Sequence, residues 1–167
     1  KKFRLDRLWA PWRMSYIKSA KKEHGCIFCE AVRTVDDRSK YVVHRGSSAL
    51  IMMNLYPYNN GHLMVSPFRH IPSIEDMSDN EMLEVMKLLK LAIELTKRVL
   101  NPEGYNIGVN LGRSAGAGIE DHIHFHVVPR WSGDTNFMTT VSETRVLPET
   151  IDQTYNRLLE VKSYSGV

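Results

Sequence analysis

The sequence predicts an α+β domain: an antiparallel sheet with one long helix and a C-terminal helix. Three observations predict it. Short β-rich runs follow one another at hairpin-length intervals from Lys40 to Pro67. One long stretch, Ser78 to Leu100, has helical periodicity and clear start and stop signals. Strand patterning then resumes, so strands flank a single helix instead of alternating with several.

The segment "LDRLWAPWRMSYI" is aromatic and basic and is broken by Pro11. It reads as irregular chain, or a short helical turn, packed by Trp9 and Trp12. "GCIFCEAVRT" is a knuckle running into a short helix. "KYVVHRG" and "SALIMMNL" are two strands joined through a Gly46-Ser47 turn, a hairpin. "YPYNNGH" is a loop, "HLMVSP" a third strand, and "HIPSIEDM" a connector.

The long helix opens on Ser78 with Glu81 three positions on, the signature of a capping box. Met82, Val85, Met86, Leu89, Ile93 and Val99 recur at helical spacing and are expected to form the buried stripe. Lys97 and Arg98 in the last turn oppose the helix dipole, and Asn101-Pro102 ends the helix. "GYNIGVNLG" is a fourth strand, and a glycine-rich loop leads from it to "EDHIHFHVVPRW". Beyond Trp131 the chain is polar until "LPETIDQTYNRLLEVK", a helix with Pro148 near its start.

The 167 residues fit one domain, 1–167, with an N-terminal aromatic and basic segment over 1–25 and a C-terminal extension over 131–167. Hydrophobic content of 43% and charged content of 25% are those of an ordinary globular protein with a real core. The formal net charge of +3 is too mild to argue for a nucleic-acid partner but suits a ligand carrying phosphate. No apolar run reaches bilayer length, and no h-region follows the charged N-terminus. The expectation is a cytoplasmic protein without a membrane partner. A start on Lys1 suggests that a few residues precede it.

His122, His124 and His126 stand at every second position. In extended chain, alternate side chains share a face, so the three imidazoles line one side and Ile123, Phe125 and Val127 the other. The apolar side is a core face. The histidine side is either a site or a solvated sheet surface. As a site it is chemically apt: a neutral imidazole nitrogen attacks phosphorus and holds a nucleotidyl group as a phosphoramidate, splitting one hard displacement into two. Neighbouring donors would then neutralise the phosphate oxygens.

The preceding "GRSAGAG" lacks the Gly-Lys-Ser/Thr ending of a P-loop. Its backbone N–H groups suit an anion, and a plain flexible hairpin loop is the other reading. "CIFC" places Cys26 and Cys29, the only two cysteines, at a spacing suited to zinc. A redox pair, or two partly buried thiols, fits the same spacing.

"HIHFHVV" resembles the signature of the histidine triad family. The likeness extends through "CIFC", "MMNLYPYNNGHLMVSPFRH" and "NIGVNLGRSAGAG". "LWAPWRMSYI" and "HVVPRWSGDTNFM" are similar to the branch of short bacterial diadenosine tetraphosphate phosphorylases. The resemblance implies a histidine triad fold, a homodimer and nucleotide substrates. It implies that His124 is the nucleophile, that His126 orients it and contacts phosphate, and that His62 is a further active-site histidine. Asn54 would contact the nucleoside, and Asn110 with the loop Arg113, Ser114, Gly116 and Gly118 would contact phosphate. By likeness to the zinc-containing members, Cys26, Cys29, His70 and His122 would hold one structural zinc per protomer. His24 and His44 match nothing in the family pattern and read as surface or strand residues.

Many hydrolases of the family carry Gly-Gln-Ser/Thr just before the triad, whereas this chain reads "AGAGIEDH". That departure fits the phosphorylase branch, in which inorganic phosphate replaces water as second acceptor. Trp131 would wall the acceptor site, or alternatively pack in a dimer or C-terminal contact. The expected function is phosphorolysis of diadenosine tetraphosphate to ADP and ATP. The competing readings are a hydrolase of dinucleoside polyphosphates or nucleoside phosphoramidates, and a nucleotide-binding protein without turnover.

Overall fold

A computed structural model describes residues 25–134 and 147–164. The expected N-terminal packing of Trp9 and Trp12 lies outside them. The elements in chain order are α1 (Ile27–Arg33), β1 (Val42–Arg45), β2 (Ala49–Met53), β3 (Leu63–Pro67), α2 (Asp79–Leu100), β4 (Gly104–Val109), β5 (Phe125–Arg130) and α3 (Ile151–Tyr164). The five strands form one antiparallel sheet in the order β1-β2-β3-β5-β4. The expected α+β architecture is present, with every expected strand in it.

The interior strands β2 and β3 are buried at every position. This follows from cover on both faces, which is why "ALIMM" reads as a continuous apolar run instead of an alternation. On one face, Ile51, Met53, Leu63, Val65, Ile123 and Val127 pack with Val85, Leu88, Leu89, Ala92 and Leu95 of α2 and with Tyr155 and Leu158 of α3. On the other, Leu50, Met52 and Met64 meet Phe28 and Ala31 of α1 in a smaller cluster. The outer side of β1 is held by α3: the Tyr155 hydroxyl donates to the Val42 carbonyl, and Lys162 Nζ to that of Val43.

The capping box of α2 is formed in both directions between Ser78 and Glu81. Its buried stripe is rotated from the expected one. Val85, Leu89 and Val99 are buried, with Leu88, Ala92 and Leu95, but Met82 and Met86 are exposed. Two stripes are apolar enough to compete, and the sheet takes the one richer in leucine and alanine. The C-terminal helix starts at Ile151, so Pro148 lies ahead of it; Thr150 and Gln153 cap it by exchanging side-chain bonds with each other's backbone N–H.

The β5 ladder begins at Phe125, so only His126 of the three histidines is in it. His122 and His124 precede it outside the ladder, tied down by an Ile123 N–H bond to the Ile71 carbonyl and by Ser66 Oγ–H donating to the Ile123 carbonyl. The alternation nevertheless holds, with Ile123 and Val127 in the main core and Phe125 packed against it. Before β3 the chain turns at Gly61 with φ +71°, where a Cβ would collide with Leu100 Cδ1. That turn delivers His62 to the start of β3.

Candidate functional site

The alternating histidines face the smaller cluster, and two rings pack on Phe28: His122 at 5.1 Å and His124 at 4.8 Å between centroids. The His124 and His126 rings lie edge to face at 5.0 Å. Helix α1 thus supplies an apolar backing that the sequence pattern gave no reason to assign to Phe28.

Backbone groups set the protonation of each ring. His124 Nδ1 lies 2.9 Å from the His122 carbonyl oxygen, which can only accept. Nδ1 therefore carries the proton, and Nε2 of neutral His124 presents a lone pair. His62 Nδ1 accepts the Tyr58 N–H at 3.0 Å, so its proton sits on Nε2, which donates to His126 Nδ1 at 2.9 Å. The remaining proton of neutral His126 is then on Nε2. An acceptor nitrogen on His124 and a donor nitrogen on His126 stand side by side on one face.

Burial favours the neutral form of His62, His122 and His124. It pushes His124 and His122 below the ordinary histidine range. For His62, burial and the neighbouring His126 and His124 lower the pKa to about 3. The Tyr58 ring lies over His62 at 4.8 Å and His126 at 5.7 Å. Asn54, expected at the nucleoside, accepts the Tyr56 N–H through Oδ1 at 2.8 Å and places Nδ2 3.4 Å from His62 Nδ1.

His122 turns the other way. Its Nε2–H donates to the Pro67 carbonyl at 2.9 Å, which leaves the Nδ1 lone pair facing Cys26 Sγ at 3.2 Å and Cys29 Sγ at 3.6 Å. His70 Nδ1 is 3.2 Å from Cys29 Sγ. All four donor atoms lie within 4.8 Å of one another. Tetrahedral bonds of about 2.0–2.3 Å put ligand atoms roughly 3.3–3.8 Å apart, so this cluster needs little movement to close on a metal. Burial, aided by Cys29, raises the Cys26 thiol above its usual range, so two adjacent thiolates here call for a cation. The carbonyl on His122 Nε2 is the outer-shell partner that orients a metal-binding imidazole.

The other expected residues lie beside β4 and β5. Asn110 follows directly on β4. Arg113, Ser114, Gly116 and Gly118 lie in the β4–β5 loop, where Arg113 pairs with Glu120 at 3.7 Å instead of with a triad histidine. Gly116 takes the left-handed conformation at φ +90°. Trp131 stands beyond the far end of β5, roughly 15–17 Å along the strand from His126 at about 3.3 Å per residue. Its turn is fixed by Asp134, which accepts from Arg130, Asn59 and the Trp131 N–H.

A family model described as HIT domain matches residues 36–133. The chain is 42% identical over 162 residues to an AP-4-A phosphorylase of Mycobacterium tuberculosis, covering 93% of this chain and 83% of that protein. Among solved structures, it is similar to a hypothetical histidine triad nucleotide-binding protein of Sulfolobus tokodaii, with TM-score 0.63, 26% identity, and 84% and 91% of the two chains covered. A Zn-bound histidine triad family protein of Mycobacterium smegmatis shares the fold with TM-score 0.66 at 23% identity, over 86% and 98% of the two chains.

Proposed function

The chain belongs to the HIT domain family, and we propose that it cleaves dinucleoside polyphosphates by phosphorolysis, converting diadenosine tetraphosphate and phosphate to ADP and ATP. One observation carries the proposal: an unprotonated His124 Nε2, set by the His122 carbonyl, beside a protonated His126 Nε2, set by the Tyr58 N–H through His62.

In the first step, the His124 Nε2 lone pair attacks the α-phosphorus. The P–N bond forms as the P–O bond to the departing ATP breaks, and the bonding pair stays on the leaving oxygen. His126 Nε2–H donates to a non-bridging oxygen, where charge builds in the transition state. The His122 carbonyl holds the Nδ1 proton as His124 becomes cationic. In the second step an oxygen of inorganic phosphate attacks the same phosphorus. The P–N bond breaks, its pair returns to Nε2, and ADP leaves. Asn54, which follows β2, would contact the nucleoside, and Asn110 with Arg113, Ser114, Gly116 and Gly118 of the β4–β5 loop would contact the phosphates.

Cys26, Cys29, His70 and His122 would hold a zinc ion, whose role with four protein ligands is to stabilise the fold. The protomer is proposed to pair with a second copy through β4. That strand ends the sheet, Ile107 on it is 46% exposed, and Met86 on the neighbouring helix is 62% exposed. Light scattering at micromolar concentration tests the dimer. No helix among the described residues is long and apolar enough to cross a membrane.

The decisive experiment is incubation with diadenosine tetraphosphate across a range of phosphate concentrations, with products identified. Phosphorolysis gives ADP beside ATP, at a rate that saturates with phosphate. If AMP dominates at saturating phosphate, water is the second acceptor and the protein is a hydrolase on the same fold. No turnover under either condition leaves a nucleotide-binding protein.

A further inference from the structure

Gly108 sits in the middle of β4 without any internal reason to be glycine. It is directly opposite His126 in the ladder. A Cβ there would meet nothing within 4 Å, and its φ is not in the left-handed region. A glycine inside a strand weakens it and characteristically marks a place where something outside the strand comes close to the backbone. Here that place is the open floor beside His126, on the side away from Met64, which flanks His126 on β3.

The same face of β4 carries Asn106 on one side of Gly108, and Asn110 follows on the other. The Asn106 amide is held in a definite orientation: its Oδ1 accepts from Arg130 Nη1 at 2.6 Å. Its Nδ2 donors therefore point away from Arg130. The guanidinium is in turn committed to Asp134 through Nε and Nη2. The result is a strip with amides at its ends and bare backbone between them, about 13 Å long at roughly 3.3 Å per residue. That is long enough for three consecutive phosphates.

We propose that the Asn106–Gly108–Asn110 strip is the track for the departing polyphosphate arm, with Gly108 a specificity-determining residue that admits it. The inference rests on the assignment of His124 as nucleophile. In that reading Asn54 would put the nucleoside on the β2–β3 side of His126, which leaves the open floor on its other side, along β4, for the arm. Without a side chain at Gly108 the arm lies against the strand and takes a donor from the Asn106 amide. A ligand with a single phosphate stops at His126 and does not extend along the strip.

The test compares binding of AMP with that of a non-cleavable methylene analogue of diadenosine tetraphosphate, in wild type, Gly108→Val, Gly108→Ala and Asn106→Ala. Thermal unfolding and light scattering are followed in parallel. Gly108→Val is expected to weaken the long ligand at least ten-fold and AMP less than three-fold. The unfolding midpoint should be unchanged or raised, since valine suits a strand. Asn106→Ala should cost the long ligand about three- to ten-fold. If Gly108→Val fails to fold, Gly108→Ala and Asn106→Ala decide by the same comparison. Equal weakening of both ligands, no weakening of either, or loss of dimer with loss of both overturns the proposal. Turnover of diadenosine tetraphosphate by wild type is read separately, so an inactive protein refutes the phosphorolysis reading while the binding comparison still decides the strip.

Discussion

His62 Nε2 lies 2.9 Å from His126 Nδ1, and the Tyr58 N–H on the far nitrogen of His62 makes that bond directional. The proton of His62 points at His126, so the proton of His126 points outward. His62 is fully buried, with Tyr58 N–H on one ring nitrogen and His126 on the other, so it would act through its neighbour. His62→Phe should therefore lower kcat about ten- to a hundred-fold with little change in KM, as expected for an interaction felt mainly in the transition state. His62→Gln, which can still donate to His126 Nδ1, should recover part of the loss. Steady-state kinetics of the two variants check this, and equal losses would refute the directional bond.

The same histidine shapes the acid limb of stability. Its folded pKa is depressed to about 3 by burial, against about 6.5 in an unfolded chain. The unfolded state thus takes up a proton first. This contribution is complete above about pH 6.5 and is lost as the pH falls toward 3, with a slope of up to about 1.4 kcal/mol per pH unit. Denaturation of wild type and His62→Gln between pH 4 and pH 8 should give curves that differ in slope below about 6.5, the variant being flatter. Parallel curves would show that His62 is not held neutral.

His124→Ala should abolish turnover while leaving the fold and AMP binding nearly intact. Among the described residues, the other ring acceptors beside His124 are engaged: His62 Nδ1 by Tyr58, His126 Nδ1 by His62, and His122 Nδ1 faces the cysteines. Loss of a covalent catalyst costs at least several thousand-fold. Rapid-quench trapping should find a phosphoramidate in wild type and none in the variant.

The fold was legible because its signals are local. Hairpin spacing, the Ser78–Glu81 capping box and alternating histidines each depend on residues a few positions apart. The triad and the Cys26, Cys29, His70, His122 set were legible through family resemblance, and the structure brings the four metal-binding candidates within reach of one another. What was not legible depends on contacts between distant segments. Phe28 behind His124, Ser66 on the Ile123 carbonyl and Pro67 on His122 all join residues far apart in sequence. The α2 stripe was misread because Met82 and Met86 are as apolar as the leucines that won; only the position of the sheet decides between them. Gly108 did leave a trace, a glycine inside "YNIGV", whose meaning needed the register with His126.

The metal prediction follows from the shared position of His122. Its imidazole belongs to the thiol cluster, and its carbonyl holds the His124 proton. Freshly purified protein should contain about one zinc per chain by elemental analysis. A strong chelator, or Cys29→Ser, should lower the unfolding midpoint by several degrees, and added zinc should restore the chelated protein but not the variant. Metal-free protein whose stability is indifferent to zinc would contradict the assignment.

Glu81 links helix α2 to the segment that carries His70. Its side chain is only 8% exposed, and its carboxylate accepts from Arg69 Nε at 2.7 Å and Nη2 at 2.6 Å, from the Ser78 N–H, and from the Ser78 hydroxyl. Arg69 also donates to the Asp76 carbonyl, so one carboxylate gathers the chain from Arg69 to Ser78 onto the helix start. The Arg69 guanidinium holds the Glu81 pKa down to about 2, against about 4.5 ordinarily. A depressed carboxylate contributes stability that is complete above about pH 4.5 and is lost as the pH falls through about 2. Arg69 is half exposed, so solvent screening trims the contribution. Glu81→Gln keeps the shape and one acceptor but removes the charge, and should cost about 1–3 kcal/mol at pH 7. The gap between wild type and Glu81→Gln should shrink steadily below about pH 4.5. A gap that stays constant down to pH 2.5 would mean that the carboxylate's charge contributes nothing there, and that the variant suffers only from altered packing.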